Sequence, residues 1–305
     1  MKQDFLSVSD LSTNEIWSLF ELAKELKAKY QRGEAHQYLK DQTLGLVFLK
    51  PSTRTRISFE VGMFQLGGHA LYLPADDIGL EKREAFSDVA RVISSYVDGI
   101  MARMHGHNDI VELARYASVP VINGLTDLLH PCQIIGDMFT VWEFRRTIDD
   151  LVVAFIGDGN NVANSWVTMA ARLPFTFRIA CPEGYEPNAK ILAEARAASV
   201  GQVEILRDPL TAARGAHVIY TDVWASMGQE GEAEMRKRIF ENYVVDAKTM
   251  SLAAKDAKFM HCLPAHRGEE VTHEVIESPA SIIFTQAENR MHAQKALLVM
   301  LMGNR

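Results

Sequence analysis

The run Ser52-Thr53-Arg54-Thr55-Arg56 packs three hydroxyls and two guanidiniums into five residues. It stands in a polar loop after the apolar stretch 43–49 and opens a segment in which Ile57, Val61 and Phe64 share a face. The first turn of a helix offers N–H groups with no internal partner and a partial positive charge, so this run suits a phosphate dianion. It is not a P-loop: GxxxxGK[ST] is absent and the loop holds no glycine. A capped helix with solvated arginines is the plainer alternative, and the density of donors argues against it.

Three further clusters carry chemistry. His130-Pro131-Cys132-Gln133 brings an imidazole and an amide, both able to donate to a carbonyl oxygen, and Arg103 ends an apolar stretch. Taken alone, each is more commonly a satisfied, partly buried group. Thr221-Asp222-Val223-Trp224-Ala225-Ser226-Met227-Gly228-Gln229-Glu230 places an acid at a strand end before a glycine-containing loop. Asp222 there is suited either to an ammonium group or to capping the strand. His261-Cys262-Leu263-Pro264-Ala265-His266-Arg267-Gly268-Glu269-Glu270 offers Cys262 as thiolate, nucleophile or metal ligand. Cys262 and His266 are too few for a dedicated zinc site, so no metal is expected. Gly157-Asp158-Gly159 imitates a dinucleotide fingerprint, but Val162 stands where glycine or alanine is wanted.

These residues need elements to hold them. Ser12 and Glu15 fit a capping box ahead of Ile16, Leu19, Ala23 and Leu26 at helical spacing. Strand-like stretches at 43–49, 69–73, 99–103 and 120–123 alternate with helical ones at 85–96 and 109–117, and Pro131 begins a helix to about residue 146. A second series has strands at 151–156, 177–180, 203–206, 218–221, 259–261 and 282–285, helices from Asn161 and Pro187, and a final helix over 287–302. Strand–helix alternation predicts an α/β fold of two domains, each a mainly parallel sheet flanked by helices and joined by long helices. The expected domains are 1–146 and 147–286, with 287–305 packing back on the first.

Class boundaries follow from composition. A length of 305 residues suits two domains, and 48% apolar with 23% charged residues is ordinary for a globular chain. A net charge of −7 argues against a nucleic-acid binder. Three scattered cysteines without a CxxC pair predict free thiols and a cytoplasmic protein. No leader-like or membrane-length apolar run is present in the sequence.

Taken in order, FLKPSTRTRISFE, VDGIMAR, HPCQ, IGDGNNVANS, TDVWASMGQE, HCLPAHRGEEV and AENRMH resemble the ornithine branch of the aspartate/ornithine carbamoyltransferase family along nearly the whole chain. The aspartate-using relatives share STRTR but lack the SMG loop and usually carry HPLPR where HCLPA stands here. The resemblance implies transfer of a carbamoyl group from carbamoyl phosphate to the side-chain amine of L-ornithine, with no cofactor. It implies carbamoyl phosphate on Ser52, Thr53, Arg54, Thr55, Arg103, His130 and Gln133, with Cys262, Leu263 and Arg290 closing around the carbamoyl group. It implies ornithine on Asn161, Asp222, Ser226 and Met227, the catalytic set being Arg54, Arg103, His130, Asp222 and Cys262. It further implies a homotrimer. One departure stands out: the family commonly has a glutamine, reaching a neighbouring subunit, where Gly79 stands here. That contact is therefore not carried over to this chain; Lys82 and Arg83 are nearby cations, and the sequence does not assign either to it.

Overall fold

The computed structural model describes residues 3–79, 84–225 and 230–303. By internal contacts the chain divides into one unit of Met1–Phe139 with Glu288–Arg305 and a second of Thr140–Ala287. Both divisions fall inside helices, Pro131–Arg145 and Ile283–Met302. The first comes earlier in the long helix than the boundary at 146 expected from the charged residues that follow.

The first unit is built on β1 (Thr43–Phe48), β2 (His69–Pro74), β3 (Gly99–Arg103) and β4 (Val121–Leu125), all parallel, in the order β2-β1-β3-β4. The central strands β1 and β3 are almost wholly buried, which explains continuous apolar runs where alternation would mark a half-exposed strand. Val47, Ile100, Ala102, Ile110, Leu113 and Val121 form much of the core on one face. Ser12 and Glu15 make the expected reciprocal cap of the helix Thr13–Gln31.

The second unit holds β5 (Val152–Ile156), β6 (Thr176–Ala180), β7 (Gln202–Leu206), β8 (Val218–Thr221) and β9 (Lys258–His261), again parallel, in the order β7-β6-β5-β8-β9. The helix Asn161–Ala170 is buried along nearly its full length. Its Trp166 stacks on Phe177 and meets Tyr220 edge-on, and Tyr220 stacks on Phe155. Truncating one such aromatic to alanine typically costs about 3–5 kcal/mol.

In each sheet the connections leave in opposite directions from two adjacent strands, and ligands of open α/β sheets bind beyond the carboxyl ends at such a point. For the first unit these strands are β1 and β3. For the second they are β5 and β8.

One expectation is corrected. Residues 282–285 are not a strand: Gln286 N donates to the Ile282 carbonyl at 2.8 Å, closing a helical turn at once. Only Ser281 bridges to Phe259 before the chain coils, and three apolar residues cannot declare their period. Of the three residues that share a face of Thr53–Gln65, Ile57 and Phe64 are exposed and Val61 is half-buried, while Thr55, Ser58, Phe59, Gly62 and Met63 supply the buried face.

Candidate active site

In the first unit, β1 runs through a short loop into the helix Thr53–Gln65. Ser52 is its N-cap: its Oγ accepts from Thr55 N at 3.4 Å and donates to Thr55 Oγ1 at 3.1 Å. The two arginines of the run have different fates. Arg56 pairs with Glu60 at 2.9 Å and lies 3.8 Å over the Tyr72 ring. Thr53 and Arg54 stay exposed on the first turn, and Thr55 is buried.

The adjacent β3 ends on Arg103, 4% exposed, where the register with β4 shifts. After β4, the His130 carbonyl accepts from Gln133 N at 3.1 Å and from Ile134 N at 3.4 Å, so His130 stands at the start of Pro131–Arg145. Burial drives the His130 pKa well below its ordinary value, and the charges of Arg103, Arg290 and Arg54 push the same way. The imidazole is therefore neutral at physiological pH. Arg290 Nη1 donates to Gln133 Oε1 at 2.8 Å, and Gln133 Nε2 donates to Asp137 Oδ1 at 2.8 Å. This approach needs Gly136, where a Cβ would come within 2.9 Å of the Arg290 Cα. Cys132 is inert here: it is buried, its thiol is pushed up to about 12, and its Sγ donates to the Asn123 carbonyl.

In the second unit, the loop after β5 and the ends of β8 and β9 meet in one hydrogen-bonded group. Asn160 caps Asn161–Ala170, its Oδ1 accepting from Val162 N at 2.9 Å and Ala163 N at 3.2 Å. Its Nδ2 donates to Asp222 Oδ2 at 2.8 Å. The other Asp222 oxygen accepts from Val223 N and from the Cys262 thiol, each at 2.9 Å. Asn161, the first residue of the helix, is half-buried. Leu263 has a left-handed backbone, φ 60°, directly after Cys262. Ser226 and Met227 lie outside the described residues.

Behind this group Arg236 donates to Asp158 Oδ2 at 2.8 Å, to the Trp224 carbonyl at 3.0 Å and to Glu232 at 3.0 Å. Burial raises the Asp158 carboxyl to about 6 against the pull of Arg236, with Asp222 and Glu232 adding to the rise. The dinucleotide-like glycine has a packing reason. A Cβ on Gly159 would stand 2.3 Å from the Glu186 carbonyl carbon and from Pro187 N, so the chain's own backbone occupies the approach a pyrophosphate would need.

The two units thus present different chemistries. One gathers guanidiniums and a neutral imidazole at a helix N-terminus; the other gathers a carboxylate, an amide and a thiol. Residues 3–143 match the family described as "Aspartate/ornithine carbamoyltransferase, carbamoyl-P binding domain". Residues 149–301 match "Aspartate/ornithine carbamoyltransferase, Asp/Orn binding domain". The chain belongs to the aspartate/ornithine carbamoyltransferase family.

Its relatives include ornithine carbamoyltransferase of Pyrococcus abyssi, 53% identical over 304 residues, spanning 99% of this chain and 96% of that one. Anabolic ornithine carbamoyltransferase of Pyrococcus furiosus is also 53% identical over 304 residues, with the same 99% and 96% coverage. The solved ornithine carbamoyltransferase of Pyrococcus furiosus superposes with a TM-score of 0.95 at 51% identity, covering 100% of this chain and 98% of that one.

In this carbamoyltransferase, two contacts were not read from the sequence: the hold of Asn160 on Asp222 and the Arg236–Asp158 pair. The cap position of Asn160, just before a helical stretch, was the available signal for the first. Arg236 follows an exposed-looking run of charges and gave none. Gly79 ends the short helix Ala75–Ile78 with φ 69°, while Lys82 and Arg83 lie outside the described residues.

Proposed function

We propose that this chain transfers the carbamoyl group of carbamoyl phosphate to the side-chain amine of L-ornithine, yielding L-citrulline and phosphate. The observation that carries the reading is the convergence of Arg54, Arg103 and Arg290 on a His130 held neutral by burial and by their charge. Such a set demands an anion, and a phosphate dianion at a helix N-terminus meets it. Full-length similarity to proteins named for ornithine supports the acceptor.

The amine nitrogen attacks the carbonyl carbon, the carbon–oxygen bond to phosphate breaks, and the proton that the amine loses ends on the departing phosphate, which leaves as hydrogen phosphate. An alkylammonium has a pKa near 10.4, so the amine must be bound or made neutral first. Asp222 pairs with an ornithine ammonium, Asn161 bonds its carboxylate, Ser226 and Met227 cover the chain, and Cys262 stands near the amine. Thr55, Arg103 and His130 donate to the carbonyl oxygen as charge builds there, each worth roughly 3–4 kcal/mol when preorganised. Ser52, Thr53 and Arg54 hold the departing phosphate. Gln133, Leu263 and Arg290 position the carbamoyl end.

We assign the working form as a cytoplasmic homotrimer. Ile57 and Phe64 on one helix and Leu71 on edge strand β2 are exposed apolar side chains of the first unit that self-association would cover. No described helix is long and apolar enough to cross a membrane.

Purified protein supplied with carbamoyl phosphate and, separately, ornithine, putrescine, aspartate and N-acetylornithine tests the reading. Phosphate release with ornithine alone of the four is expected. Equal or greater turnover with another amine overturns the acceptor assignment.

A further inference from the structure

We propose that His266, Glu269 and Glu270 form a binding site for a divalent transition cation of the zinc class, separate from the group around Asp222. Glu270 is fully buried. Its Oε1 accepts from His261 Nε2 at 3.2 Å and from His266 N at 2.5 Å. Its Oε2 is equally buried and has no hydrogen-bond partner among the described residues. A desolvated carboxylate oxygen with nothing to accept is rare in folded proteins and calls for a ligand.

That oxygen faces His266 Nδ1 at 4.0 Å, and His266 Nδ1 stands 3.9 Å from Glu269 Oε2. The three ligand atoms lie within 4.8 Å of one another. Ligands around tetrahedral zinc, bonded at about 2.0–2.2 Å, are separated by about 3.3 Å. The cluster therefore reaches metal geometry by closing about an ångström. His266 and Glu269, partly exposed, can make that movement while Glu270 stays fixed by its two donors.

One imidazole and two carboxylates with an open fourth position match zinc or cobalt, and offer too few oxygens for calcium. Lys237 takes the other Glu269 oxygen at 3.0 Å and leaves Oε2 to the cation. Arg267 is turned away, onto His273 and Glu277.

Asp222, His261 and Cys262 also bring three ligand atoms within 4.8 Å. There both His261 nitrogens are already engaged, Nε2 on Glu270 and Nδ1 accepting from Leu263 N at 2.8 Å. Through Glu270 and His261, a cation at the proposed site steadies the segment that carries Cys262 and Leu263.

The test is titration of chelator-treated full-length protein with Co²⁺, followed by absorption, and with Zn²⁺, followed by calorimetry. Expected is one equivalent bound without a cobalt–thiolate charge-transfer band, unchanged in Cys262→Ser and weakened at least tenfold by His266→Ala and by Glu269→Gln. Both substitutions are at partly exposed positions, and circular dichroism checks that the fold persists. Three results overturn the proposal: unchanged affinity in His266→Ala, a thiolate band whose loss in Cys262→Ser abolishes binding, or no binding to the wild type. None of these outcomes depends on the acceptor assignment.

Discussion

Replacing Asp222 with asparagine keeps its shape, removes one charge and puts a donor where every neighbour is already a donor. Oδ2 accepts from Asn160, and Oδ1 accepts from Val223 N and Cys262. Either orientation of the new amide therefore sets N–H against N–H. Asn160 cannot turn to relieve it, because its own Oδ1 caps a helix through Val162 and Ala163. One hydrogen bond to a charged acceptor is lost, about 1.5–3 kcal/mol of stability. Leaving an ornithine ammonium without its buried partner costs about 3–5 kcal/mol more in acceptor binding, at least 10²-fold in kcat/KM.

Carbamoyl phosphate binding should be little changed, since the residues proposed to hold its phosphate, Ser52, Thr53 and Arg54, belong to the other unit. The assay is initial-rate citrulline formation against ornithine concentration, with calorimetry of carbamoyl phosphate on the same samples. A pair swap, Asp222→Asn with Asn160→Asp, separates structure from function. It restores a donor facing an acceptor and should return stability to within about 0.5 kcal/mol. Ornithine use should stay depressed roughly tenfold or more, because the charge has moved. An ornithine kcat/KM within about threefold of wild type in Asp222→Asn, with the stability loss present, would refute the reasoning and reduce Asp222 to a strand-end cap.

Arg54→Ala should cut turnover by roughly 10²–10³, with melting temperature unchanged because the side chain is exposed, as steady-state assays and calorimetry will show. His130→Gln should lower kcat without altering the pH–rate profile between pH 6 and 8, because a histidine held well below its ordinary pKa never charges in that range. Lys295, buried against Gln65 and His36, is depressed from 10.5 to about 8 by desolvation. The unfolded state therefore binds more protons between those values, and stability gains as pH rises from 8 to 10.5. In Lys295→Met that gain, about 2 kcal/mol after screening, should vanish from denaturant midpoints measured across the same range.

The sheets were legible because buried parallel strands leave continuous apolar runs, and the chemical motifs were legible because each follows such a run. STRTR after β1, Asp222 after β8 and Cys262 after β9 announce themselves locally. Contacts between distant segments do not. Arg54, Arg103 and Arg290 converge on His130 from separate elements, and Asn160 reaches Asp222 across 62 positions. Which face of Thr53–Gln65 is buried is not legible either: Ile57 and Phe64 are exposed, while Thr55, Ser58, Phe59, Gly62 and Met63 are buried. Residues 282–285 read as strand because three apolar residues in a row are common to both element types. Nothing in the sequence sets Glu270 apart from Glu269, and only the fold shows it fully buried and bonded to His261.

The acceptor is tested most directly by competition. Protein is mixed with ¹³C-labelled carbamoyl phosphate and equimolar ornithine, putrescine, aspartate and N-acetylornithine, and the carbon spectrum is followed. The label is expected in the ureido carbon of citrulline, with the other three amines unlabelled until ornithine is consumed. Label appearing first in carbamoyl-aspartate or carbamoyl-putrescine, or remaining in carbamoyl phosphate, would contradict ornithine carbamoylation by this chain.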